Sequence, residues 1–158
     1  MGGLPENTPS EVAAIAKILS DPAIRTENPL EVKNLLYILY CMSGGVPKIP
    51  EAIPTFIDYM SPDSQYLAWI GKECVPFAIG YFADSAENGR KIGKGESDIP
   101  AIAAQYFQLL KMTDDEAAKA VEDYKLDHPG LTAAQLSALD EIITAIQSNN
   151  LDGWKREL

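Results

Sequence analysis

The only histidine of the 158-residue chain, His128, stands in Leu126-Asp127-His128-Pro129-Gly130, where the chain turns out of a helix. A lone histidine is favoured there by the helix dipole and the turn, so its reading is structural rather than catalytic. One histidine makes no multi-histidine metal site, and neither zinc nor haem-type ligation has support. Glu73 is the second chemically conspicuous residue, set among Ile70, Cys74, Val75 and Phe77 with Pro76 close behind. An unpaired buried carboxylate is rare, so Glu73 is expected to pair with a basic group or reach solvent. No Ser-His-Asp or Cys-His relay can be built around it without His128.

Two loop motifs fail on spacing. Asp84-Ser85-Ala86-Glu87-Asn88-Gly89 begins like a calcium loop, but its third position is Ala86 and its twelfth is Gly95, with Glu96 one residue out of register. Gly89-Arg90-Lys91-Ile92-Gly93-Lys94-Gly95 has three residues between its first glycines where a phosphate loop has four, and Gly95 where the hydroxyl belongs. Arg90, Lys91 and Lys94 are instead expected to form a basic loop that touches an acidic partner. With them we group Trp154, an aromatic residue on a polar tail of the kind that docks against a surface.

The aromatic residues concentrate in the middle of the chain, and helical spacing assigns most of them to the core. A subset, Tyr40, Tyr66, Trp69 and Phe77 with Leu36 and Glu73, is where two apolar helices could hold a small ligand between them. Cys41 and Cys74 both sit in apolar runs and are expected to be reduced core residues.

The elements that position these groups are helical throughout. Thr8-Pro9-Ser10-Glu11 combines a capping box with a first-turn proline, so a helix should run from Pro9 to Leu19. Asn28-Pro29 opens a second that ends near Gly44. Its centre, Leu35 to Met42, is apolar or aromatic on every side, which predicts burial at the middle of the fold. Pro50 to Met60 reads as a short helix with Ile53, Phe56, Ile57 and Met60 inward. Ser61-Pro62 starts the longest pattern, to about Asp84, which should kink or break at Pro76. Lys72 and Glu73 argue against a membrane span there.

After the glycine-rich loop, Asn88 to Ser97, a helix carries Ile99, Ile102, Tyr106, Phe107 and Leu110 at helical spacing. Thr113 with Glu116 and Thr132 with Gln135 are further capping boxes, the last opening a helix with Leu136, Leu139, Ile143 and Ile146 that stops near Asn149. No stretch alternates in the manner of a strand, and no repeat recurs at solenoid periods. The expectation is an all-α single globular bundle of six or seven helices with a Pro-kinked central helix: a helical domain over 9–149, a flexible start over 1–8 and a polar tail over 150–158.

Charge sets the remaining bounds. Thirteen basic against 23 acidic residues leave a net charge of −10, which disfavours nucleic acid and anionic membrane surfaces as partners. No signal segment or glycosylation sequon is present, and the myristoylation pattern fails at Glu6, so the expected compartment is cytoplasmic. Function is expected to be protein association, with another protein or with itself, through a surface groove. The alternatives are a carrier of a small apolar ligand and, least favoured, an enzyme using carboxylates, tyrosines or Lys72.

Overall fold

The structure is a computed structural model, and it describes residues 9–19, 21, 29–42, 52–60, 65–92 and 98–149. These residues form eight α-helices and no strand: α1 (Pro9–Leu19), α2 (Pro29–Met42), α3 (Ile53–Asp58), α4 (Gln65–Ile70), α5 (Val75–Glu87), α6 (Ile99–Leu109), α7 (Asp114–Asp127) and α8 (Ala133–Asn149). A short 3-10 turn, Lys72–Cys74, joins α4 to α5. The all-α expectation holds, and six or seven helices become eight because the longest predicted helix is divided.

Helix starts follow their capping chemistry. The Thr113 hydroxyl accepts the Glu116 N–H at 3.1 Å while the Glu116 carboxylate accepts the Thr113 N–H at 3.1 Å. The Thr113 N–H, with Lys72 adding to it, holds Glu116 below its ordinary value. Thr132 and Gln135 make the same reciprocal pair at 3.1 and 2.9 Å. Asp98 caps α6 by accepting the Ala101 N–H at 3.2 Å, with Pro100 inside the first turn where its missing donor costs nothing. Thr8 lies outside the described residues.

The predicted kink at Pro76 is instead a break five residues earlier. Gly71 adopts φ +84° and ψ −166°, a combination essentially reserved for glycine, and the helical ladder cannot pass through it. Pro76 then falls in the first turn of α5, where no intrahelical donor is needed. Proline position alone pointed to a disruption, but glycine stereochemistry decides where it occurs.

The core is organised around α8, which packs along α5, α6 and α7. Its inward residues Leu139, Ile142 and Ile146 are fully buried against Phe82, Tyr106, Phe107 and Val121 in one cluster that every helix joins. Lys125 of α7 pairs with Asp140 of α8 at 2.6 Å at the surface of their seam. Tyr81 ties α5 to α3 by donating to Asp58 Oδ1 at 2.9 Å, and the Tyr59 hydroxyl donates to the Leu19 carbonyl at the end of α1. Lys72 reaches Glu116 at 3.2 Å, linking the turn before α5 to the start of α7.

The helix expected at the centre is not there. α2 pairs with α1 and buries only Val32 and Leu39, while Leu30, Tyr37, Ile38 and Cys41 are exposed. An apolar surface on all sides needs partners on all sides, and α2 lacks them on the side of Leu30, Tyr37 and Ile38. Cys41 is accordingly a surface thiol rather than a core residue.

Replacing Leu139 by Ala should remove about 2 to 5 kcal/mol of stability in urea titrations. Leu126→Ala, at a side chain 78% exposed, should change it by less than about 0.5 kcal/mol. Gly71→Ala should cost about 1 to 3 kcal/mol, since the added Cβ meets open space and the whole penalty is backbone strain.

Candidate functional site

Two surfaces stand out, and the first is built on α2 and α4. The turn spacing of α2 sends Tyr40 inward toward α4, and there it meets Tyr66 at 5.1 Å and Trp69 at 5.5 Å between ring centroids. Phe56 of α3 closes on Tyr66 at 5.6 Å, and Tyr66 meets Trp69 edge-on at 5.9 Å. Such tilted and edge-on contacts match the ring quadrupoles and add about 0.5 to 1.5 kcal/mol each beyond area burial. Leu36 packs partly buried beside them. Burial pushes the Tyr66 hydroxyl above its ordinary value. Tyr37, one turn before Cys41, is also raised, first by the Cys41 side chain.

Tyr66 touches the other three rings, yet the outer side of the group is uncovered. Trp69 is 56% exposed, and from α2 Leu30 is 71%, Tyr37 58% and Ile38 45% exposed. Leu30, Tyr37 and Cys41 are spaced by seven and four residues, which aligns them along one side of the helix. Glu73 lies in the 3-10 turn, exposed as expected, and Phe77 is exposed on α5. The sequence reading therefore brought Leu36, Tyr40, Tyr66 and Trp69 to one place, missed the contribution of Phe56, and expected burial on every side of α2 where one side is open.

The second surface lies where α5 ends and α6 begins. Gly89, at φ +64°, takes the left-handed position that terminates α5, so the Arg90 N–H returns to the Ser85 carbonyl at 2.8 Å and Gly89 N–H to Ala86 at 3.3 Å. This turn sets Arg90 and Lys91 on the rim of a 300 Å³ hollow that also includes Ser85, Ile99, Pro100, Ala138 and Glu141. An open groove of 730 Å³ continues from it along α8, past Leu136, Ser137, Asp140, Thr144 and Ala145, and the two share Pro100 and Glu141. Arg90 also lies 3.9 Å from Asp84, a loose and exposed pair. Lys94 and Trp154 lie outside the described residues.

Two fully or nearly buried side-chain oxygens have no hydrogen-bond partner among the described residues, Ser85 Oγ and Gln108 Oε1. Ser85 belongs to the hollow. It comes close enough to Tyr81 to influence its titration, which burial and Asp58 raise and Arg90 and Ser85 oppose, without a hydrogen bond of ordinary geometry.

No family model, curated protein or solved structure matches the chain.

The remaining motifs resolve structurally. Asp84 to Glu87 are the last residues of α5, so the segment that resembled the start of a calcium loop is helical. His128 caps α7, stacks on Tyr124 at 3.8 Å and has Nδ1 2.9 Å from the Tyr124 carbonyl, an arrangement that places the proton on Nδ1. Among the described residues no three His, Cys, Asp or Glu side chains are grouped to hold a metal ion, and no helix is long and apolar enough to cross a membrane.

The two thiols should separate cleanly in alkylation. Cys74 is buried and pushed up to about 11 by desolvation, with Glu73 adding to it, so near pH 8 only about a thousandth of it is thiolate. Peptide mapping after brief iodoacetamide treatment should find Cys41 modified and Cys74 intact, with Cys74 reacting as the pH approaches 11 or once urea unfolds the chain.

Proposed function

We propose that the protein is a helical association module and that the α2–α4 face is its docking surface. The observation carrying this reading is the exposure of Leu30, Tyr37 and Ile38 on α2 and of Trp69 on α4, two helices joined by the contact of Tyr40 with Trp69. Contiguous exposed apolar patches of this kind mark binding surfaces, because leaving them in water forfeits about 25 cal/mol for each Å². A rigid aromatic base lowers the entropy lost on docking.

Charge distribution favours a second copy of the chain as the occupant. Although the net charge is −10, α2 carries one acidic and one basic residue and α4 carries none. The acidic excess sits elsewhere: α7 alone holds six acidic residues against two basic. Two copies meeting through α2 would therefore bring together locally neutral surfaces and avoid like-charge repulsion.

A second reading, a carrier of a small apolar ligand, is favoured by the convergence of Tyr40, Tyr66 and Trp69. Both readings use the same face, and mass separates them.

Sedimentation velocity across a wide concentration range should show a reversible dimer for the natural chain and a monomer for Tyr37→Glu and Ile38→Glu, with circular dichroism unchanged. A monomer at every concentration for all three would refute self-association. A monomer that retains an apolar adduct in native mass spectrometry, lost in Trp69→Ala, would establish the carrier reading instead.

A further inference from the structure

The continuous hollow and groove on α5, α6 and α8 have a chemistry different from the aromatic face, and nothing in the association reading uses them. At one end stand two cations, Arg90 and Lys91, beside the start of α6, where the Asp98 cap and Asp84, 3.9 Å from Arg90, offset part of their charge and leave Lys91 without an ion pair among the described residues. Within the same end lies Ser85, fully buried, with a hydroxyl that lacks a partner among the described residues. A buried hydroxyl without a hydrogen bond is destabilising, and a ligand oxygen or N–H at this place would satisfy it. The middle is marked by Glu141, which lines both spaces. Beyond it the floor turns apolar, with Leu136, Ala133 and Ala145, beside Asp140.

Read from end to end, the track asks for an anion, then a donor or cation, then apolar side chains. A nucleic acid or phosphorylated segment satisfies only the first demand and places repeated negative charge against Glu141 and Asp140. A free fatty acid satisfies the first and last but leaves Glu141 desolvated without a partner, which is unfavourable. An extended peptide satisfies all three when its terminal carboxylate comes first. We propose that this track binds the free C-terminus of a partner polypeptide: its carboxylate between Arg90 and Lys91 with a hydrogen bond to Ser85, a Lys or Arg side chain or backbone N–H on Glu141, and apolar residues along Leu136.

The size agrees with this assignment. The hollow and the open groove measure 300 and 730 Å³, together room for several residues of an extended peptide. Capture of a chain terminus by cations and backbone or hydroxyl donors is also an established mode of peptide recognition. The proposal is independent of the α2–α4 face, since the two surfaces share no residue.

The test uses the full chain, immobilised, and a fully randomised hexapeptide pool with free C-termini, compared with the same pool amidated at the C-terminus. Sequencing of retained peptides should show at least tenfold enrichment from the free-carboxylate pool, with Lys or Arg and apolar residues selected upstream of the terminus. That enrichment should fall at least tenfold in Arg90→Ala/Lys91→Ala, and severalfold in Ser85→Ala, while the dimerisation of these variants is that of the natural chain. Leu136→Lys should abolish the upstream apolar selection without abolishing the carboxylate preference. Equal retention of the two pools, or enrichment that survives the double variant, would overturn the proposal. So would acetate or single free amino acids displacing the selected peptides at the peptides' own concentration, which would assign the hollow to a small carboxylate.

Discussion

The burial of one side of α8 is the constraint on which the other features depend. Leu139, Ile142 and Ile146 are fully buried, and α8 packs along α5, α6 and α7. Each such side chain contributes about 1.5 to 3 kcal/mol when fully buried, so a helix of 17 residues, about 25 Å long, can hold three neighbours in fixed relation. Lys125 pairing with Asp140 adds a surface contact between α7 and α8. With α8 seated, the end of α5 and the start of α6 are both fixed, and the hollow bounded by Arg90, Pro100 and Glu141 follows from their positions.

The same arrangement explains why α2 is left with an open side. The main seam is satisfied by α5 to α8, and α2 contributes to the core through Val32 and Leu39 while pairing with α1. Leu35, Leu36 and Tyr40 pack partly buried beside them, and Leu30, Tyr37 and Ile38 have no internal surface to meet. The sequence keeps them apolar nonetheless, and keeps charge balanced on α2 while acidic residues accumulate on α7. That pairing of uncovered apolar area with local neutrality is what supports the docking role proposed for α2. The track beside α8 carries the opposite signature, opposed charges around an apolar floor, which suits a directional ligand rather than a broad apolar contact.

Helix ends were the most legible part of the sequence because their determinants are local. Thr113 with Glu116, Thr132 with Gln135 and the prolines at positions 9 and 29 placed starts correctly, since a cap involves residues only three apart. Tyr40, Tyr66 and Trp69 were also recognisable together, because aromatic residues on adjacent apolar helices tend to meet. Three features were not readable. The break at Gly71 depends on a backbone conformation that no side chain announces, whereas Pro76 announced a disruption it does not cause. The exposure of Tyr37, Ile38 and Cys41 depends on which neighbours α2 finds, and an evenly apolar helix carries no periodicity to indicate its open side. The peptide track joins Arg90 and Lys91, which stood out, to Pro100, Leu136 and Glu141, which are ordinary in their own helices and distant in sequence. Ser85 gave no signal because its unpartnered hydroxyl exists only in the folded chain.

Native-state hydrogen exchange tests the account most directly, because it measures how each helix is held. If α8 is the seam and α2 an outer helix with an open side, amides from Leu139 to Ile146 exchange only through global unfolding. Those of α2 then exchange through smaller local openings, and these openings slow as protein concentration rises and the apolar face is covered. Protection in α2 equal to that of α8 and indifferent to concentration would contradict both the arrangement of the core and the docking role assigned to α2.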